Sequence, residues 1–487
     1  MTEYKRILDS VHGYINIPCL YCDNIIDTIY FQRLRRIEQT SGRSLFPSAH
    51  HDRFIHSLGV YHLGQKIVDS IKRRYKGKQF TDYDDVVYES YILACLLHDV
   101  CHSPFSHTFE NFYEKGNDLR GILIEAMKND EFTSDWNSCF ENCAPHEIMS
   151  AYLTLQVFSD WITNNTKANI QLIVRMIIGC KFIQSYQTKS FENSFIDLIH
   201  GDIIDADGLD YACRDAWASG YCTNNIDVDR LIDSIHIEKN AENLYTVCYT
   251  TKAQNEIEAV LNVKSFQQIN VITHHTVVYE QALLIKAMES AALFHCMGIK
   301  DNEDEEIRTK ALCKLCNINS FFTSIKFDHS SASIIYPMDD DFVSLMKYIP
   351  DDRYVKQWIS RKYELKALWK SKADFLNMFD ILIDKKYTKN NWLFSDYAKK
   401  FICETFELDL SSVWILPATS KYKLNLASKV NLFIDGKILP YTELFKNDKN
   451  SFTPDLQPFS YIYVPQSCDT DSIIRKLKEQ VKLYFFN

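Results

Sequence analysis

Residues 95–107 read CLLHDVCHSPFSH: three histidines and an aspartate follow directly on an apolar run, in a chain with only 15 histidines. The run from Val86 is apolar on most sides, which predicts a buried helix reaching His98. Pro104 cannot continue that helix, so it loosens around residues 100–103. The His98–Asp99 pair then falls at the C-terminal end of a buried helix, with His102 and His107 on the following turn and helix start. Burying ionisable groups without partners costs on the order of several kcal/mol. A metal ion supplies the partner that each imidazole and carboxylate needs, provided the rest of the chain brings further ligands.

Two other stretches bring them. RFIHSLGVYHLGQKIVDSIKRRY (53–75) places Phe54, Leu58, Tyr61, Ile67, Val68 and Ile71 at near-helical spacing, and the same helix carries Arg53 and His56. In HGDIIDADGLDYACRD (200–215), Asp207, Tyr211 and Asp215 recur every four residues, a stripe on one helix face. Alone, that stripe reads as a solvated face and His56 as a structural histidine. Together with His98 and Asp99, His56 and Asp207 make two imidazoles and two carboxylates. That set suits a divalent ion such as Mn, Fe, Mg or Zn. Such an ion activates water and polarises a phosphoryl oxygen, as phosphate-ester hydrolysis requires.

Length and composition bound the rest. At 487 residues two or more lobes are expected, and only 13 Gly and 11 Pro favour helices over a turn-rich β fold. A net charge of -10 argues against a broad nucleic-acid surface, and the basic run KRRYKGK (72–78) reads as a solvated helix end. No apolar run approaches the ~18 residues of a membrane span. Fifteen scattered cysteines with no apolar leader predict reduced thiols and a cytoplasmic protein, and the CxxC pairs Cys19/Cys22 and Cys313/Cys316 lack zinc-knuckle turns.

Residues 146–182, 195–217 and Ala253 through Cys296 read as helical, and LYTVCYT (244–250) as a strand. DNEDEE (301–306) reads as a loop or helix start, and MDDD (338–341) as a capping region. Beyond about residue 400, SSVWILP, KVNLFIDGKILP and FSYIYVP are strand-like. The expected fold is mainly α: a helical core over 1–330, then a smaller mixed α/β lobe over 331–487 that packs on the core and takes part in assembly.

The ordered pattern H…HD…D resembles the HD-domain metal-dependent phosphohydrolases. DSVHGYI (9–15), IIDTIYFQRLRRIEQ (25–39), FPSAHHDRFIHSLGV (46–60), HDVCHSPFSHTFE and IDADGLDYACRD are similar to the deoxynucleoside triphosphate triphosphohydrolases within that group. These include the bacterial dGTPases and the animal enzyme that joins an HD domain to a sterile-alpha-motif domain. The likeness runs from about residue 5 to 300, and more weakly through RKYELKALWK (361–370); no sterile-alpha-motif segment is expected before the core.

The resemblance implies an HD-type helical core with His56, His98, Asp99 and Asp207 as metal ligands. It implies acid–base roles for His107, Glu110 and His146, with His102 beside them, and a substrate contact for Arg53. Gln39, Tyr211, Asp215 and Tyr279 match positions around the deoxyribose and phosphates. The implied reaction is water attack at the α-phosphorus of a deoxynucleoside triphosphate, releasing deoxynucleoside and triphosphate, for pool control or defence against phage. Lys5, Asp27 and Arg35 match positions that hold an activating nucleotide between subunits, which implies a homo-oligomer, dimer, tetramer or higher. Two positions depart from the pattern: Gly208 stands where relatives carry Lys or Arg, and Val271 where a triphosphate-gripping arginine is expected. Lys264 and Lys252 are possible replacements. These departures keep open another nucleotide or phosphate ester as substrate, or a nucleotide-sensing subunit with little turnover.

Overall fold

The computed structural model describes residues 3–41, 45–139, 143–201, 204–220, 226–300, 302, 304–349, 351–379, 391–418, 430–441 and 460–486. The chain is mainly helical, with small sheets. It opens on an antiparallel hairpin, Tyr4–Asp9 with Gly13–Pro18, that the sequence analysis did not anticipate. Its turn is made by Gly13 in the left-handed region (φ 73°) and by Asp9 Oδ1, which accepts from the backbone N–H of Val11 and His12. Ile15 and Ile17 alternate inward, which seats the hairpin on the core and aims His12 at it.

Helix Arg53–Arg74 is the central element. Asp52 caps it by accepting from Ile55 N at 2.9 Å, and the side chains of its inner face are buried. It packs against helix Asp84–Leu97 so closely that a Cβ on Gly64 would lie 2.7 Å from Cys95 Sγ. Helix Ala206–Ser219 closes on its other side at Gly59, where a Cβ would fall on the Asp210 carboxylate. Polar side chains from three helices therefore meet in a buried space.

Helix Asp84–Leu97 ends one residue before His98, and a turn follows over residues 98–101. Phe105 and Ser106 then adopt left-handed backbone (φ 53° and 50°), a costly conformation for side chains with a Cβ. It is held in place because Phe105 N donates to Asp339 Oδ1 at 2.6 Å and Ser103 Oγ donates to Ser106 O at 2.6 Å. The kink brings His107 beside His102, their ring centres 5.2 Å apart. Helices Pro145–Leu153 and Ile170–Ile177 enclose this region. In the DNEDEE stretch, helix Glu305–Leu315 starts after Asp304, whose side chain accepts from Glu306 N; residues 301 and 303 lie outside the described residues.

The described buried apolar residues form two large clusters and a small one of Ala212, Ala216 and Val263. The first runs from Ile15 to Tyr441 and includes Phe342, Leu345 and Met346 of helix Asp339–Lys347. Strand Asn431–Ile434 also returns to it, parallel to Tyr245–Thr250 with Tyr249 opposite Leu432. The second cluster spans Leu365 to Leu477 around an antiparallel sheet, in which Ser460–Pro465 lies between Leu365–Ala367 and Trp414–Pro417. Helix His275–Ala292 joins the two clusters, contributing Tyr279 and Leu283 to the second. Segments from the expected C-terminal lobe thus lie on both sides of the division. Among the described residues, no helix is long and apolar enough to cross a membrane.

Candidate metal centre and its acid–base neighbours

His56, His98 and Asp99 bring one ligand atom each to within 4.8 Å of one another. His56 Nε2 lies 3.0 Å from Asp207 Oδ1, 3.4 Å from His98 Nε2 and 3.7 Å from Asp99 Oδ2. His98 Nε2 lies 3.7 Å from both Asp99 Oδ2 and Asp207 Oδ1. Donors bound at about 2.1 Å to one octahedral or tetrahedral centre are themselves about 3.0–3.4 Å apart. The spacing fits a shared cation.

The outer bonds of the two imidazoles support the same fit. His56 Nδ1 lies 2.7 Å from Asp210 Oδ2, and His98 Nδ1 donates to Cys95 O at 3.0 Å. With Nδ1 of each ring so occupied, both Nε2 atoms are turned inward, as metal-binding histidines require. Asp99 Oδ1 is buried and finds no hydrogen-bond partner among the described residues. Burial opposes a charge on His56, yet the Asp207 and Asp210 carboxylates raise its pKa to about 10; likewise burial is outweighed at Asp99, where Arg53 and the histidines hold the carboxyl well below its usual range. Excess negative charge at this point calls for a cation.

Asp210 is the hub of a wider network. It receives His12 Nε2 at 2.6 Å as well as His56, and Arg214 donates to both of its oxygens. Arg214 NH1 continues to Asp9 Oδ2 at 2.8 Å, in the hairpin turn that carries His12. Asp210, His12 and Arg214 fall within motifs legible in the sequence, but their spacing alone assigns them no role. Their signal was the HG of DSVHGYI, whose partner is 198 residues away.

A second group, His102, His107, Glu110 and His146, lies beside the first. Glu110 Oε1 is 2.7 Å from His107 Nδ1, 2.7 Å from His146 Nδ1 and 3.4 Å from His102 Nε2. Burial alone would raise the Glu110 carboxyl, but His107 and His146 hold it well below its usual range. Burial, with Arg53 and His146 nearby, keeps His102 neutral; for His146 the Glu110 carboxylate outweighs burial and raises the pKa to about 9. His107 is the exposed member, its side chain 60% accessible. Arg53 links the two groups: NH1 donates to Asp99 Oδ2 at 2.6 Å, Nε to Ser106 Oγ at 2.9 Å, and NH2 lies 3.4 Å from His107 Nε2.

The remaining expected residues fall in different places. Gln39 is next to Arg53, its carbonyl accepting from NH2 at 3.3 Å while its side-chain Oε1 is buried without a hydrogen bond. Tyr211 lines a small polar cavity of about 130 Å³ together with His98, His146, Asp207 and Lys264. Asp215 pairs with His51 Nε2 at 2.7 Å, a partner the sequence analysis did not single out. Tyr279 is not brought to this group: it is buried in the second cluster against Tyr363, Trp414 and Tyr463, its hydroxyl donating to Gln357. Val271 is buried in the turn Gln268–Ile272, and Lys252 is exposed elsewhere. Lys5 and Asp27 pair with one another at 2.7 Å on the surface, whereas Arg35 donates to Gln32 and lies over the Phe54 ring.

Comparison with known proteins agrees with this geometry. The HD domain family model matches residues 53–173, a span holding three of the four expected ligands and the whole second group. An uncharacterized protein of Bacillus subtilis is 25% identical over 372 residues, covering 69% of this chain and 75% of its own length. A putative HD domain-containing protein of Acanthamoeba polyphaga mimivirus is 24% identical over 93% of this chain and 88% of its own. The deoxynucleoside triphosphate triphosphohydrolase SAMHD1 of Gallus gallus is 30% identical over 60% of this chain and 46% of its own. Among solved structures, a phosphohydrolase from Bacteroides thetaiotaomicron shares the fold at a TM-score of 0.61 and 20% identity, over 95% of this chain and 100% of that one. The segment 53–173 is thus similar to HD domains, and three of the converging donors, His56, His98 and Asp99, lie within it.

Proposed function

We propose that the protein hydrolyses deoxynucleoside triphosphates to deoxynucleoside and triphosphate. The observation that carries the proposal is the joining of two groups by Arg53: a four-donor cation site, buried at His56, His98 and Asp99 and half-buried at Asp207, and an exposed histidine oriented by a carboxylate. A divalent ion held by His56, His98, Asp99 and Asp207 would polarise a phosphoryl oxygen and neutralise charge at phosphorus. His107 donates from Nδ1 to Glu110, so its Nε2 is left to take or give a proton at the exposed edge. His146 shares the same carboxylate and reaches to 3.9 Å from Asp99, placing it between the two groups. Arg53 serves as an orienting cation for a phosphate at that junction. Tyr211 and Asp215, on the helix that bears Asp207, would face the sugar, and Gln39, whose carbonyl accepts from Arg53, would stand behind that arginine.

The choice of nucleotide substrate is supported by the ordered motifs around these residues and by the name of the Gallus gallus relative. Its consequence would be a lowering of deoxynucleotide pools. The free thiols among the described cysteines accord with a reducing, cytoplasmic setting. The test is a panel of nucleotides incubated with protein loaded with Mn or Mg, with products separated by chromatography. Deoxynucleoside and triphosphate in equal amounts are expected. Pyrophosphate or orthophosphate as the primary product, or turnover confined to a non-nucleotide ester, would overturn it.

A regulatory nucleotide and a homo-oligomer are a second reading. It is favoured by a cavity of about 800 Å³ where Arg35, Arg36, Lys347 and Arg361 stand near the rings of Trp358 and Phe105, with carboxylates such as Glu38 and Asp340 in the same wall, a mixed lining that offers cations to phosphates and acceptors to a base. Light scattering and turnover with Asp27→Ala and Arg35→Ala would test it. Mass and rate that ignore every nucleotide would end it.

A further inference from the structure

Gly208 follows Asp207 on the first turn of helix Ala206–Ser219. A Cβ built there would fall on Lys264 Nζ, and would lie 3.2 Å from Lys264 Cε. The ammonium group therefore occupies the space that a side chain at 208 would need. Lys264 comes from a different element, helix Gln254–Gln267, and its side chain is almost wholly buried. Burying a lysine is costly unless its charge is used. Here it points into the small cavity whose wall also includes the expected ligands His98 and Asp207, together with His146. Nζ lies 4.9 Å from the centre of the Tyr211 ring, and the carboxylates of Asp205 and Asp207 face it electrostatically.

We propose that Lys264 is a phosphate-binding residue of this site, delivered across the gap at Gly208, so that the glycine is required by the lysine. The inference deepens the proposed function by naming the cation that grips the substrate's phosphate chain. Two features support it beyond proximity. Burial lowers the Lys264 pKa, while the Asp205 and Asp207 carboxylates favour the charged ammonium at this wall of the cavity, where an entering phosphate would meet it. Position 208 itself supplies no charge, and the helix's arginine, Arg214, is bound to Asp210 and Asp9 instead.

Lys264→Met keeps the apolar stem and removes the charge, and Gly208→Ala keeps the charge but displaces it. Both are measured by competition with inorganic triphosphate, by KM and kcat for a deoxynucleoside triphosphate, and by inhibition with the deoxynucleoside. Thermal melting checks the fold. In Lys264→Met, triphosphate binding and KM are expected to weaken roughly tenfold, the scale of one charge-assisted hydrogen bond. Gly208→Ala is expected to weaken both in the same direction, and inhibition by the deoxynucleoside should stay unchanged in both variants. Triphosphate binding equal to wild type in Lys264→Met overturns the inference, as does equal weakening for the deoxynucleoside, which would make the lysine structural. Triphosphate binding reports on Lys264 even if the wild type turns over no nucleotide, a result that would break the functional proposal alone.

Discussion

The two histidine groups are built from the same residue types and differ in where their hydrogen bonds point. In the His56–His98 group, each Nδ1 is satisfied from outside, by Asp210 or by Cys95 O, and the Nε2 atoms converge. In the His102–His107–His146 group, a carboxylate already fills the centre, and two Nδ1 atoms turn toward Glu110. The first arrangement leaves a hole of negative potential for a cation. The second leaves Nε2 of an exposed ring available for a proton. Orientation of the imidazole, rather than the count of histidines, separates a ligand from an acid–base group.

The strongest way to break this contrast is to remove ligands. His98→Ala with Asp99→Ala is expected to strip the metal and abolish hydrolysis while helical content persists, as read by elemental analysis, turnover and circular dichroism. An active, metal-free double variant would sink the assignment. Glu110→Gln probes the other side. It should lower the rate by roughly 10²–10⁴-fold through loss of His107 orientation, with metal content unchanged. Loss of metal in this variant would mean that the second group also holds the ion.

Asp210→Asn sharpens the claim that the outer bond tunes the ligand. Metal affinity should fall roughly 10–100-fold, because His56 loses its anionic partner. The variant also leaves buried Arg214 with Asp9 as its remaining carboxylate, so a lower melting temperature is expected with it. Unchanged metal affinity would reduce Asp210 to a structural hub.

The smallest effect concerns His62, whose ring centre lies 5.6 Å from that of His12. Burial, helped by His12 and Lys66, lowers its pKa to about 4 from an ordinary 6.5. The unfolded chain then binds the extra proton first, so stability present above about pH 6.5 is lost as pH falls toward 4. His62→Gln should shrink the difference in unfolding free energy between pH 7.5 and pH 5 by on the order of 1 kcal/mol, after allowing for partial exposure. Denaturant titration at the two values measures it; an undiminished difference would place the acid sensitivity elsewhere.

What the sequence by itself determined was the identity of the convergent set. His98 and Asp99 were legible because ionisable residues directly after an apolar run need a partner, whereas His56 and Asp207 joined them only in combination and through the resemblance of the motifs. The mainly helical class and the strand character of WILP and SYIYVP were legible from local periodicity. Tertiary structure alone decided that strand Asn431–Ile434 pairs with the core while Trp414–Pro417 and Ser460–Pro465 pair with one another, since a strand's pattern does not name its partner. It decided that Tyr279 packs in the second cluster, because helix His275–Ala292 faces both clusters and periodicity cannot tell one buried face from the other. It also decided the bond of His12 to Asp210 and the position of Lys264 in the gap at Gly208. Both are contacts between residues far apart in the chain. No local spacing encodes such contacts; they exist only once the hairpin and helices have packed.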